Sequence, residues 1–424
     1  MEEKTPSAAN ETPLQRGLAK VVSARPEEVK ALIWSFAYFF CLLAGYYVLR
    51  PLRDEMGVAG GVRNLQWLFT ATFLVMLAAV PLYGALVARL PRRVFIPVVY
   101  HFFVANLALF WLLLTLDAER QTVARVFFVW ISVFNLFAVS VFWSFMADLF
   151  STAQGKRLFG FIAAGGSAGA LAGPTLTVTL VEALGTANLL VVAMLFLELA
   201  VLCARKLEFT DKKAEPRSVG GGWLAGIVMV LRSPYLAGIA LWVALLSVAG
   251  TFLYFQQASI VAAASDDPAV RTRLFASVDL AVGLLTVAVQ FLATGRLIER
   301  FGVGVAAAFL PLVFALGFAV LAAFPALAVV IAFQAFQRTA NFAISNPARE
   351  ILFTALPREQ KYKAKNVIDV VVFRGADALG GWLFAGLRAL GLGLPAISLL
   401  AIPVMAAWCA LALALGKASS KARG

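Results

Sequence analysis

The chain is poor in the residues from which soluble catalytic sites are built. One histidine, His101, and three cysteines, Cys41, Cys203 and Cys409, occur in 424 residues. No His/Cys/Asp/Glu cluster has metal-ligand spacing, and the cysteines all fall within apolar runs, which argues against a disulfide framework and makes them packing residues. His101, near the start of the third apolar run, reads as an interfacial residue rather than a proton relay. No Walker loop and no nucleophile elbow is present, so neither an enzyme nor a bound cofactor is expected. Charge is scarce as well: charged residues make up 14% of the chain, against about a quarter in soluble domains.

Apolar sequence is abundant. Hydrophobic residues account for 62% and the mean hydropathy is +0.87, an excess that has to face lipid. Twelve segments near 31–52, 65–88, 94–116, 123–147, 158–181, 187–204, 235–262, 274–295, 303–323, 325–348, 366–388 and 394–416 each approach the roughly 20 residues needed to cross a bilayer. None alternates like a barrel strand, and a helix satisfies its own backbone in lipid. The expected fold class is therefore an all-α membrane protein.

Sorting the 36 Lys and Arg by loop orients it. If the amino terminus is cytoplasmic, 25 of them lie on the cytoplasmic side, including all twelve lysines, against seven on the other side. This bias accounts for much of the +13 net charge without a nucleic-acid partner. The expected location is a bacterial inner membrane, multi-pass, with both termini cytoplasmic. The polar leader 1–30, with five acids and five bases, is expected to be a cytoplasmic tail.

The stretch Arg205–Gly222 (RKLEFTDKKAEPRSVGGG) is the only long polar interruption. It divides a six-helix bundle at 31–204 from a second at 223–416, leaving 417–424 as a tail. Three features recur between the halves at similar offsets. G-A-L-V-A-R-L-P-R-R (Gly84–Arg93) answers G-R-L-I-E-R-F-G (Gly295–Gly302); D-L-F-S-T-A (Asp148–Ala153) answers E-I-L-F-T-A (Glu350–Ala355); S-A-G-A-L-A-G (Ser167–Gly173) answers G-A-D-A-L-G-G (Gly375–Gly381). Duplicated bundles of this kind build secondary transporters. The loop motif resembles the major facilitator signature G-x-L-x-D-R-x-G-R-R, with Glu299 in the acidic place and Ala88 replacing it in the first half. Arg89, Arg93, Glu299 and Arg300 are the gating candidates, the alternative for the first loop being basic residues that serve topology alone. The small-residue run Phe161–Pro174 is expected to pack closely on a neighbouring helix.

Ionisable residues inside spans are costly and mark function or pairing. They are Arg50, Arg53 and Asp54 in segment one, Asp148 in four, Glu198 in six, Asp279 in eight, Arg338 in ten, and Asp369, Arg374 and Asp377 in eleven. Gln334, Arg338 and Asn341 share one helical face, and Arg374 can pair with Asp377 three residues on. Gln256 lies in the aromatic stretch F-L-Y-F-Q-Q of segment seven. Glu198 reads as interfacial or structural.

Several stretches carry a family resemblance. Y-Y-V-L-R-P-L-R-D (Tyr46–Asp54) is similar to Y-T-I-L-R-D-T-K-D, and F-W-S-F-M-A-D (Phe142–Asp148), followed by Lys156 and Arg157, to F-W-x-F-A-N-E. N-P-A-R-E-I-L-F-T-A-L-P-R-E-Q-K-Y-K-A-K-N-V-I-D-V (Asn346–Val370) resembles D-P-T-K-E-M-A-Y-I-P-L-D-E-E-Q-K-V-K-G-K-A-A-I-D-V. These are motifs of the ATP/ADP antiporters of plastids and intracellular bacteria. The resemblance implies a major facilitator fold and exchange of an anionic substrate, a nucleotide. It implies that Arg53 stands for the family's segment-one lysine and Asp148 for its segment-four acid, with Lys365 and Asp369 retained. The acid that family members carry in segment seven has no counterpart near Thr251 and Phe252. Arginine suits such a cargo because it engages phosphate oxygens bidentately. The substrate-binding set is then Arg50, Arg53, Asp148, Gln256, Arg338, Asn341, Lys365, Asp369, Arg374 and Asp377. Two other readings stay open: a transporter of another small molecule with protons as the coupling ion, and a non-transporting membrane sensor with the same fold.

Overall fold

A computed structural model describes residues 24–421 apart from 90–91, 117, 208–222, 293, 355, 357–363 and 366. Most of the expected linker 205–222 and tail 1–30 therefore lies outside the described residues. The helices are α1 Val29–Ala59, α2 Leu65–Arg89, α3 Arg92–Thr115, α4 Arg120–Leu149, α5 Thr152–Lys206, α6 Trp223–Arg232, α7 Pro234–Ala264, α8 Pro268–Leu292, α9 Thr294–Ala323, α10 Leu327–Ala340, α11 Asn346–Phe353, α12 Phe373–Ala389 and α13 Leu394–Lys421. Ten helices are long and apolar enough to cross a membrane. Gly185, at φ 76°, folds α5 into two arms, giving an eleventh crossing, and the π turn Val367–Val372 continuing into α12 makes the twelfth. We call the end of the bundle where α1 begins and α13 finishes the terminal end, and the opposite one the far end.

Polar sequence hides helix extensions, two of which carry charges to the interface between the halves. Helix α1 runs to Ala59, past the hydropathy edge at 52, and takes Arg53, Asp54 and Glu55 with it; α8 begins at Pro268, six residues before the apolar run. A helix held by tertiary packing tolerates charges that an isolated apolar window does not.

Buried side chains form two large clusters and a small third of Val278, Val282 and Ala335. One, drawn from residues 24–207, is aromatic: Tyr38 donates to the Tyr100 hydroxyl at 2.7 Å, and Phe39 stacks on Phe142. The other, drawn mostly from residues 230–415, centres on Trp242, Trp408, Phe314, Phe318 and Phe333 and also takes in Val58, Leu65, Leu68 and Phe128. The far end of the first half thus shares the second half's core.

The small-residue run packs as its composition predicts. Gly165, Gly169 and Gly173 recur every four residues along the first arm of α5 and face α1. A Cβ at Gly165 would lie 2.5 Å from the Phe36 carbonyl oxygen and one at Gly173 2.7 Å from that of Ala44, while one at Gly169 would meet the Phe40 carbonyl oxygen. Backbone is in contact with backbone along three turns, an approach only glycine permits.

The terminal end of the first half is pinned by Glu28. Its carboxylate accepts from Arg157 at 2.9 and 3.2 Å, from Gln154 Nε2 at 3.0 Å and from the Arg25 backbone N–H at 2.9 Å. Ser151 and Gln154 form a capping box at the start of α5, so the same glutamine caps one helix and tethers another. Burial pushes the Glu28 acid up, but the hydrogen bonds from Arg157, Arg25 and Gln154 together outweigh it and hold its pKa at about 2.

Two tests follow from this packing. Gly169→Val is expected to destabilise the detergent-solubilised protein by about 3 kcal/mol, the upper end for overpacking, whereas Gly160→Val, at a position with open space, should leave the thermal midpoint unchanged. Because the native Glu28 pKa of about 2 lies below the ordinary carboxylate value, its contribution is complete above pH ~4.5 and is lost as pH falls towards 2. Wild type should therefore lose more thermal stability between pH 5 and 3 than Glu28→Gln does.

Candidate functional site

At mid-height, between the halves, Asp279 of α8 joins two arginines. Its Oδ1 lies 2.6 Å from Nη1 of Arg338 on α10 and 3.3 Å from Nη1 of Arg50 on α1. The carboxylate is 1% exposed and the guanidinium side chains 13% and 20%. Asp279 Oδ2 and Arg338 Nε and Nη2 are buried with no hydrogen-bond partner among the described residues. Such a cluster persists in an apolar environment only through mutual pairing. One carboxylate shared by two guanidinium groups leaves donors to spare.

One turn further along α1, Arg53 donates from Nη1 to Asp54 Oδ1 at 3.0 Å and from Nε to Ser132 Oγ at 3.2 Å. Its guanidinium carbon stands 4.1 Å from the ring centre of Phe128, a cation–π contact. Tyr254 of α7 donates to the same Asp54 oxygen at 3.1 Å and packs against Phe69 at 5.6 Å. Cation, carboxylate and aromatic wall come from α1, α2, α4 and α7.

The third group confirms the expected i, i+3 pair: Arg374 Nη1 reaches Asp377 Oδ2 at 3.2 Å. Asp377 also accepts from Ser247 and, at 3.2 Å, from Thr251, both on α7. At the repeat offset that sets Gly173 against Gly381, Asp377 occupies the place of Gly169. Where the first half brings α5 onto α1 by omitting a side chain, the second ties α12 to α7 through a hydrogen-bonded carboxylate.

Nearer the far end the halves are latched. Glu55 of α1, fully buried, sits 2.8 Å from Arg271 of α8 and 3.8 Å from Arg120 of α4. Arg273 of α8 pairs with Glu182 of α5, and Trp382 donates to Thr70 at 3.0 Å. Contacts between the halves thus run from mid-height to the far end.

The remaining candidates lie elsewhere. Asp148 is exposed at the terminal end of α4, sixteen residues or about 24 Å along the helix from Ser132, away from Arg53. Lys365 pairs with Glu350 at 2.5 Å and Asp369 with Arg349 at 3.4 Å, a second polar group near the terminal end. Gln256 is buried and accepts from Ser398 of α13 at 2.9 Å, pointing into the second half's own core. Asn341 opens the π turn Asn341–Ser345; its Oδ1 is buried without a partner. Gln334 accepts from Gln337 at 2.9 Å. Glu299 and Arg300 are exposed at the start of α9, before Gly302, whose φ of 78° makes the sharp turn that the loop motif requires. The side chains of Arg89 and Arg93 lie outside the described residues. His101 and Glu198 face each other at 3.5 Å on the outer surface.

Two participants escaped the sequence reading, and a third was named without its role. Asp279 stood out as an intramembrane acid, but its central place depends on α8 crossing α1 and α10. Glu55 falls beyond the hydropathy edge of segment one. Arg271 counted only as a loop arginine.

Neither a protein-family model nor a curated protein sequence matches the chain. Solved structures do. A bacterial homologue of the human lysosomal transporter Spinster, in an inward-facing and unoccupied conformation, aligns over 93% of this chain and 94% of its own at a TM-score of 0.55 and 15% identity. The nucleoside transporter NupG aligns over 93% and 99% at 0.56 and 12%, and an auto-inhibited POT family peptide transporter over 92% and 96% at 0.61 and 14%. The fold is that of these proteins, the major facilitator architecture of twelve transmembrane helices in two six-helix repeats. The chain is a multi-pass membrane protein.

The latch can be weighed directly. Glu55→Ala leaves Arg271 buried without its carboxylate and is expected to cost about 3–5 kcal/mol, read as a fall in thermal midpoint in detergent. The double variant Glu55→Met with Arg271→Met should be more stable than either single replacement by Met; a double variant that sums the two losses would refute the coupling.

Proposed function

We propose that the protein is a secondary active transporter that exchanges an anionic solute, a nucleotide of the ATP/ADP type, across a bacterial inner membrane by alternating access. The observation that carries this reading is Arg338: a guanidinium at mid-height between the halves, with Nε and Nη2 unpartnered and a second arginine, Arg50, on the same carboxylate. A phosphate group offers the oxygens that such donors lack.

Arg50, Arg53, Arg338 and Arg374 supply the positive field, offset by Asp54, Asp279 and Asp377, so the site keeps an excess of one positive charge when empty. The aromatic wall of Tyr254, Phe128 and Phe69 beside Arg53 is suited to a base ring. Lys365, Asp369 and Asp148 near the terminal end lie on the approach. The resemblance of Asn346–Val370 to the ATP/ADP antiporters supports the nucleotide over other anions, and the basic loops support cytoplasmic termini. With the far end latched, the arginines are reached from the terminal side, and rocking of the halves 31–204 and 223–416 about the site exposes them to the other. Arg89, Arg93, Glu299 and Arg300 close the terminal side in that second state.

A second reading draws on the near balance of charge. If Asp377, held by Ser247, Thr251 and Arg374, takes up a proton in each cycle, the protein is a proton-coupled transporter of another small molecule.

Labelled ATP uptake into proteoliposomes separates the two. Exchange predicts uptake stimulated by internal ADP and indifferent to an uncoupler. Arg338→Ala should lower it at least about tenfold, the equivalent of one lost charge-assisted contact, with an unchanged size-exclusion profile. Absence of any nucleotide counterflow would overturn the assignment.

A further inference from the structure

The hub of the site is an acid, and an anion site has no evident use for one. Asp279 occupies the space between Arg50 and Arg338, with one oxygen shared by both guanidinium groups and the other buried without a partner. An incoming phosphate has to take the place of that oxygen. Arg50 belongs to the first half and Asp279 and Arg338 to the second, so the ion pair with Arg50 is also a strut across the moving interface. Parting the halves at the far end with the site empty would strip Asp279 of Arg50 and leave the half-buried Arg50 without the carboxylate it pairs with among the described residues.

Building on the exchange reading, we propose that Asp279 is a resident substitute for the substrate's phosphate: it holds the empty carrier closed at the far end, and displacement by a phosphate-bearing solute releases the halves. Asp279 thereby makes opening at the far end depend on a bound solute. An empty carrier cannot open at the far end because the Arg50–Asp279 strut holds; a loaded one can, because the phosphate takes over the arginines. The solute has to outcompete a singly charged carboxylate for two guanidinium groups at once, which favours the greater charge of phosphate esters and inorganic phosphate over monocarboxylates.

Asp279→Asn keeps the shape and removes the charge. In proteoliposomes with the far side facing the lumen and labelled ATP inside, wild type should release label into ADP-containing medium about tenfold or more faster than into anion-free medium, whereas Asp279→Asn should bring the two rates within about threefold. Asp279→Glu should resemble wild type. An unchanged ratio in Asp279→Asn overturns the proposal. A readout independent of cargo keeps this apart from a failure of the nucleotide assignment. With Cys41, Cys203 and Cys409 replaced by Ser, spin labels at Arg63→Cys and Asp266→Cys, exposed positions at the far ends of the two halves, report their separation without any solute. Asp279→Asn should shift the population towards longer distances, and inorganic phosphate should do the same in wild type; a distance distribution that neither the substitution nor phosphate moves refutes the strut. If Asp279→Asn does not fold, Arg50→Gln removes the same cross-half contact and is expected to open the same pair of labels, with failure to do so counting equally against the proposal.

Discussion

The cost of holding ionised groups away from water governs this molecule. The guanidinium groups of Arg50, Arg53, Arg271, Arg338 and Arg374 each lie beside a carboxylate, and three of these pairs join different helices: α1 with α8 for Arg50, α10 with α8 for Arg338, α8 with α1 for Arg271. An apolar core provides little that orients one six-helix half against the other, since side chains of similar shape slide past one another. Directional charge pairs do.

The architecture was legible in the sequence because the physics behind it is one-dimensional. Span length, loop charge and small-residue runs are properties of consecutive residues, and twelve crossings, close packing at Gly165–Gly173 and an i, i+3 pair at Arg374 and Asp377 follow from them. Two places where the hydropathy edges fell short, Arg53–Glu55 on α1 and Pro268–Arg273 on α8, are helix ends joined to one another by the Glu55–Arg271 pair across the interface. Hydropathy counts those charges as exposed because it cannot see the partner.

The site was less legible for a related reason. Which residues share a face was read from regular helical spacing, and two π turns upset that spacing. In an uninterrupted helix Arg338 and Arg349, eleven residues apart, would point the same way. The π turn Asn341–Ser345 widens the helix between them, and Arg349 turns instead to Asp369, at the head of a second π turn. Asp279 and Glu55 could be recognised as participants only with helix crossings in hand. The family resemblance drew attention to Lys365 and Asp369, which form their own group, and to Asp148, which stands at the terminal end.

Four charged residues of α1, Arg50, Arg53, Asp54 and Glu55, lie within about 7.5 Å of helix axis, and each meets the second half directly or through its neighbour: Asp279, Tyr254 and Arg271 are the receivers. Helix α1 is in turn seated backbone to backbone on α5 at three successive glycines. A helix fixed along its length cannot peel away one side chain at a time. Its contacts with the second half have to break together, so any parting of the halves takes the character of a sharp two-state transition, with few stable stops along the way.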